Sequence, residues 1–144
     1  MVTFSVRDEI VEVINKLFIY TDMQEWEKLQ TEVFSDDVMF DMSSLGGPKE
    51  ETSSKAICEL WEKGFAGIDS VNHLAGNYLV EIHDMVATVF AYATATHYKA
   101  SATKGTTREF VGTYNIRLMK HGNGWKIYEF KYDLKYQTGN IDLV

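Results

Sequence analysis

A single cysteine, Cys58, stands in 144 residues, so neither an intramolecular disulfide nor a thiolate zinc site can form. A reducing compartment such as the cytoplasm is the expected home. One proline, Pro48, and ten glycines are too few for a low-complexity or disordered chain. No apolar run approaches the roughly 20 residues needed to cross a bilayer. Arg7, Asp8 and Glu9 interrupt the stretch that a signal peptide would need to keep apolar. A soluble protein away from membranes is expected. The P-loop and the GxGxxG, GxSxG, HExxH and CxxC motifs are all missing, so the common nucleotide, serine-hydrolase, zinc-protease and dithiol signatures give no guide.

Positive charge is scarce as well. The 14 Lys and Arg against 21 Asp and Glu give a net charge of −7, a sign that repels phosphate backbones and anionic lipid. Nucleic acid and membranes are not expected partners. The imbalance is uneven: residues 1–72 carry net −9 and residues 73–144 net +2. With 45% apolar residues, a chain of this length can bury roughly 70% of the surface its unfolded form exposes. One domain over residues 1–144 is expected, with a core large enough to enclose a pocket. No repeat or linker divides it.

The charge shift coincides with a change of period. Ile10, Val11, Ile14, Leu17 and Phe18 recur at helical spacing over Ser5 to Thr21, and Ser5 with Asp8 forms a capping-box pattern. Trp26, Leu29 and Val33 repeat the pattern in a shorter helix. Val38 to Met42 reads as a brief strand, Ser43 to Lys49 as the least structured stretch, and Thr52 or Ser53 as the cap of a third helix carrying Ile57, Leu60 and Trp61. Beyond Asp69 the period becomes two, with strands at Val71–Ile82, Met85–Lys99, Arg108–Lys120 and Trp125–Tyr136. His83-Asp84 and His121-Gly122-Asn123-Gly124 are the hairpin turns. Helices first and an antiparallel meander after them make an α+β fold, helices on one face of a curved sheet.

Parity within the second long strand puts Val89, Ala91, Ala93, Ala95 and His97 on one face and Phe90, Tyr92, Thr94, Thr96 and Tyr98 on the other. A row of alanines either admits a closely packed helix or leaves the unfilled volume of a ligand pocket. In the next strand Phe110, Tyr114, Ile116 and Leu118 share a core-like face.

His73, His83, His97 and His121 share no ligand spacing, so no metal is expected, and His83 and His121 sit at turns where histidines are solvated. His73 and His97 each interrupt an apolar or small-residue strand. Such a histidine is either a hydrogen-bonded structural group or an acid/base catalyst, because imidazole gives and takes a proton near neutral pH. Asp22, at the end of the first helix, either orients one ring nitrogen of a histidine or caps the helix containing Trp26.

Tyr20-Thr21-Asp22-Met23-Gln24-Glu25-Trp26, the run from Phe34 to Asp41, His73 with Asn77, Gly112 to Tyr114, and Gly124-Trp125-Lys126-Ile127 follow one another in an order that resembles the SnoaL-like group of the nuclear transport factor 2-like superfamily. The resemblance runs over roughly residues 5–136. It implies a cone-shaped α+β barrel in which three helices cap a strongly curved antiparallel sheet. Within the group, the scytalone dehydratase and bile-acid dehydratase branch is most similar. By that likeness Asp22 is the carboxylate that orients a histidine, His73 that histidine and His97 the second pocket histidine. Two tyrosines that hold the substrate carbonyl in scytalone dehydratase are matched by Thr21 and Met42, and a pocket serine and asparagine by Gly112 and Tyr114. The acid/base pair is thus kept while the substrate-reading shell differs.

The resemblance implies a lyase of the dehydratase type that needs no cofactor and removes a proton α to a carbonyl of a small hydrophobic molecule. His73, Asp22 and His97 are the expected catalytic residues. Tyr20, Tyr114, Asn77, Phe40, Met42 and Trp61 are the expected substrate contacts. An isomerase of ketosteroid or polyketide-cyclase type and a noncatalytic ligand-binding or dimerisation module are the alternatives. The face bearing Phe90, Tyr92 and Tyr98 is expected to join two copies as a homodimer, as in most relatives.

Overall fold

A computed structural model describes residues 2–144. The first helix, α1 (Val6–Asp22), opens on the expected capping box. Ser5 Oγ accepts from the Asp8 N–H at 3.1 Å, and Asp8 Oδ2 accepts from the Ser5 N–H at 3.0 Å. Two of the orphan donors of the first turn are satisfied reciprocally. Ile10, Ile14, Leu17 and Phe18 form its buried stripe, as their spacing requires. The second helical segment is shorter than expected: α2 (Trp26–Lys28) gives way to a π-helical turn over Leu29–Val33. Leu29 and Val33 are both fully buried there.

The sheet comprises β1 (Phe34–Asp41), β2 (Lys49–Ser53), β3 (Ser70–His83), β4 (Val86–Tyr98), β5 (Thr107–His121) and β6 (Gly124–Gly139), in the spatial order β2-β1-β6-β5-β4-β3. Two features correct the sequence expectation. The sheet is mixed, because β1 runs parallel to β6. Between them lie a helix and four strands, so no tight turn imposes antiparallel pairing. The Lys49–Ser53 segment, charged and without alternation, is nevertheless a strand paired to β1 through Val38↔Thr52 and Phe40↔Glu50. It occupies the sheet edge, where charged side chains discourage pairing with another chain. Ser53 ends it and caps α3 (Ser54–Gly64), accepting the Ala56 N–H at 3.1 Å.

Pairing across the meander aligns the inward side chains in rungs. His73 faces Ala95, which faces Phe110; Ala75 faces Ala93, which faces Gly112; Ala91 faces Tyr114, which faces Tyr132. In each rung the β4 residue is an alanine. The 3-10 turn Ser43–Leu45 is tied to β6 by Ser44, whose hydroxyl donates to the Tyr132 carbonyl and accepts the Leu134 N–H. Its lower side is held by Asp41, which accepts from both the N–H and the hydroxyl of Ser43. Among the described residues no helix is long and apolar enough to cross a membrane.

Candidate active site

The volume left by the alanines is open. A cavity of about 190 Å³ lies between α1, the Ser43–Leu45 turn, the end of α3 and the inward face of the sheet. Ala93 and Ala95 form part of its floor. Phe18, Trp61, Phe65, Phe110 and Phe130 supply apolar walls, and Met42 and Leu45 come from the turn. Gly112 has a distinct part in this shape: a Cβ there would land on the Tyr132 hydroxyl and on the Asp133 carbonyl, so only glycine lets the Tyr132 ring lie across the sheet. That hydroxyl is buried without a hydrogen-bond partner, and burial pushes its pKa up to about 12.

Asp22 is the last residue of α1 and His73 lies on β3. Asp22 Oδ1 stands 2.6 Å from His73 Nδ1, and Oδ2 accepts the His73 backbone N–H at 2.9 Å. One carboxylate therefore holds both the ring and the main chain of the same residue. The helix-cap alternative is not what forms, since Glu25 occupies the cap position of α2 and makes no side-chain cap bond. A carboxylate is acceptor-only, so the proton on the neutral ring sits at Nδ1 and the lone pair at Nε2. Phe18 stacks on the imidazole at 5.3 Å between centroids and fixes its plane.

His97 is 7% exposed and also lines the cavity. Its Nδ1 accepts the Arg108 Nε–H at 3.0 Å, and the rings of Phe65 and Phe110 pack against it. Burial, the Arg108 charge and His73 together push its pKa down to about 4. The ring is neutral at physiological pH. Tyr114 is buried between Phe18, Phe130 and Tyr132, and burial foremost, then Tyr132 and Asp22, raises its pKa. It remains a neutral phenol, able to donate. The Thr21 hydroxyl donates to the Leu17 carbonyl at 2.6 Å and is engaged within the helix.

The fold thus brings His73, His97, Tyr114, Met42 and Trp61 to one cavity, with Asp22 behind His73. Tyr20, Asn77 and Phe40 do not line it. Tyr20 turns outward, where its hydroxyl donates to Glu32 at 3.3 Å and its ring lies under the Lys28 ammonium. Asn77 occupies the β3 irregularity between Gly76 and Leu79 at φ +56° and borders a shallow depression with Leu74, Tyr92 and Thr94. Phe40 is fully buried behind the wall, stacked on Phe130 and next to Trp61. His83 and His121 are exposed at their turns. Arg108, Phe65 and Tyr132 are contributors that sequence reasoning missed. Among the described residues no group of three or more His, Cys, Asp or Glu is placed to hold a metal ion.

A SnoaL-like domain family model matches residues 3–131. The chain belongs to the SnoaL-like domain family. No curated protein matches its sequence. Among solved structures, Kfla4162 from Kribbella flavida superposes with a TM-score of 0.89 at 24% identity, covering 95% of each chain. A Novosphingobium aromaticivorans protein provisionally named a scytalone dehydratase gives 0.77 at 17% identity, over 90% of this chain and 84% of its own. Hexachlorocyclohexane dehydrochlorinase LinA-type3 from Novosphingobium barchaimii gives 0.76 at 13% identity, over 92% and 88%. These likenesses show the fold of the SnoaL-like chain, the nuclear transport factor 2-like α+β cone with a sheet that does not close.

Proposed function

We propose that this SnoaL-like protein is a lyase of the dehydratase type, acting on a small, neutral, hydrophobic carbonyl compound by general acid/base catalysis. The observation that carries the reading is the Asp22–His73 contact of 2.6 Å at the wall of an apolar cavity. Nε2 of His73 takes the proton from the carbon next to the carbonyl. The resulting imidazolium is paired with Asp22, which makes the transfer less costly in a buried site. Electron density moves onto the carbonyl oxygen, where His97 and Tyr114 donate hydrogen bonds to the developing negative charge. His73 then returns its proton to the β-hydroxyl, the C–O bond breaks, the C=C bond forms and water leaves. One base serving both steps requires the proton and the hydroxyl to depart from the same face.

One neighbour named for scytalone dehydratase and one dehydrochlorinase support an elimination, and an open cavity with His73 and His97 in its largely apolar lining supports an enzyme over a module whose cone is filled. A homodimer formed through the outer sheet face belongs to the same reading, because Leu74, Tyr92, Tyr98 and Tyr136 are exposed there. The test is to offer a panel of β-hydroxy ketones and follow the conjugated enone by its absorbance. Enone formation that disappears in His73→Gln supports the reading. No enone across the panel, with carbonyl compounds still bound, overturns it in favour of a binding module.

A further inference from the structure

Arg108 does not line the cavity, yet it touches one of the residues that does. On β5 it faces His97 across the β4–β5 ladder and donates its Nε–H to Nδ1 of that ring at 3.0 Å. Its Nη1 donates to the Ile141 carbonyl at 2.8 Å, and its guanidinium carbon lies 5.4 Å from the centre of the Phe110 ring. The side chain is therefore held on three sides. A guanidinium carries donors only and does not lose its proton in proteins. The contact requires Nδ1 of His97 to offer its lone pair, which leaves the ring proton on Nε2.

His73 is the mirror case. Its Nδ1 faces a carboxylate acceptor, so its lone pair is at Nε2. The two rings occupy neighbouring rungs of the same inward face, since His73 is paired with Ala95 and His97 follows two residues later. The charged or titratable groups facing His97 are Arg108 from β5 and His73 from β3; its other neighbours, Phe65 and Phe110, are neutral. Among the described residues lining the cavity there is no Lys or Arg, so an anionic ligand would meet no counter-charge.

We propose that Arg108 is a positioning residue that locks His97 as its Nε2–H tautomer, so that the cavity presents a fixed donor beside the His73 acceptor and selects neutral ligands with an accepting oxygen next to a removable C–H. The functional meaning rests on the proton chemistry proposed for His73, whereas the tautomer is a property of the resting protein. The two can fail separately. Because His97 stays neutral, its part is to hold the oxygen, and the proton shuttle is left to His73 alone.

The experiment uses protein labelled with ¹⁵N-histidine and long-range ¹H–¹⁵N spectra, which identify the protonated nitrogen of each ring without substrate. The wild-type spectrum should show His97 with Nε2 protonated and Nδ1 bare, unchanged between about pH 5.5 and 8. In Arg108→Met, the ring should become a mixture of tautomers across that range. A second arm compares acetophenone with ethylbenzene, two probes of similar shape that differ in the accepting oxygen. The ratio of their affinities should fall about 3- to 10-fold in Arg108→Met, the size of one neutral hydrogen bond. Protonated Nδ1 in the wild type overturns the proposal, and that spectrum decides the matter even if Arg108→Met fails to fold. A folded Arg108→Met with unchanged tautomer and unchanged affinity ratio also overturns it. Neither readout measures turnover, so a tautomer found locked in a protein without enone-forming activity would sink the proposed reaction and leave this inference standing.

Discussion

At Asp22 the two carboxylate oxygens have different partners, and the difference predicts how substitutions there behave. Oδ1 fixes the His73 ring and Oδ2 anchors its main chain. His73→Gln removes the proton shuttle but keeps a polar side chain of similar size, so turnover should drop at least ~10²-fold with little change in KM. Asp22→Asn leaves the histidine in place with its tautomer no longer dictated, and a smaller loss is expected; steady-state kinetics on both variants check the order. His97 makes a separate prediction through stability. Its folded pKa of about 4 lies below the ordinary 6.5, so the unfolded chain binds a proton through that interval that the folded chain does not. The contribution is fully present above pH 6.5 and is lost as pH falls toward 4, by something on the order of 3 kcal/mol. Urea midpoints should fall across that window in the wild type and show a visibly flatter dependence in His97→Leu. Asp22 and His73 were legible because a carboxylate ending an apolar helix and a histidine inside a small-residue strand are both chemically out of place. Tyr20 misled because one step along a helix turns a side chain by about 100°, so its neighbour Thr21 faces the cavity while Tyr20 faces Glu32. Arg108 was not legible, since its contact with His97 depends on the β4–β5 register, which no two-residue turn specifies.

Among the elements, β4 and β5 shape the cavity by what they omit. The alanine row left two outcomes open from sequence, a close helix or an open pocket, and the difference lies in residues far away in the chain. Phe18, Trp61 and Phe130 hold the walls apart, while α1 rests on the sheet at either side. Ala93→Leu should fill part of the cavity and abolish binding of small carbonyl ligands, with a stability cost within about 1–3 kcal/mol because the added carbons enter existing space. Titration calorimetry and a urea titration on one sample check both halves. Gly112→Ala should behave in the opposite way. Its added methyl has no space beside Tyr132 and Asp133, so it should lower the urea midpoint strongly and displace the Tyr132 ring. The meander strands were readable from alternation and turn residues, whereas β2 was not, because its charged Lys49–Ser53 sequence has no buried face to write a period. The parallel β1–β6 contact was likewise invisible, being set by where the whole meander ends and not by any local signal.

For the whole molecule, the outer face of the sheet is the surface that one copy leaves uncovered. Leu74 and Leu79 are 71% and 68% exposed, and Tyr92, Tyr98 and Tyr136 add aromatic area. Sedimentation equilibrium at micromolar concentration should find twice the 16.5 kDa chain mass, and a lone 16.5 kDa species would contradict the dimer. The cavity opens on the other side of the sheet, so assembly and chemistry are separable, and Tyr92→Lys should weaken the dimer without touching the lining. The central claim, that His73 removes a proton from carbon inside this cavity, is tested most directly by solvent exchange. Incubated with β-hydroxy ketones in deuterated water, the wild-type protein should introduce deuterium at the α-carbon of at least one of them. His73→Gln should slow that exchange at least ~10²-fold. Exchange that persists undiminished in His73→Gln, or is absent from the wild type across the panel, would contradict the account.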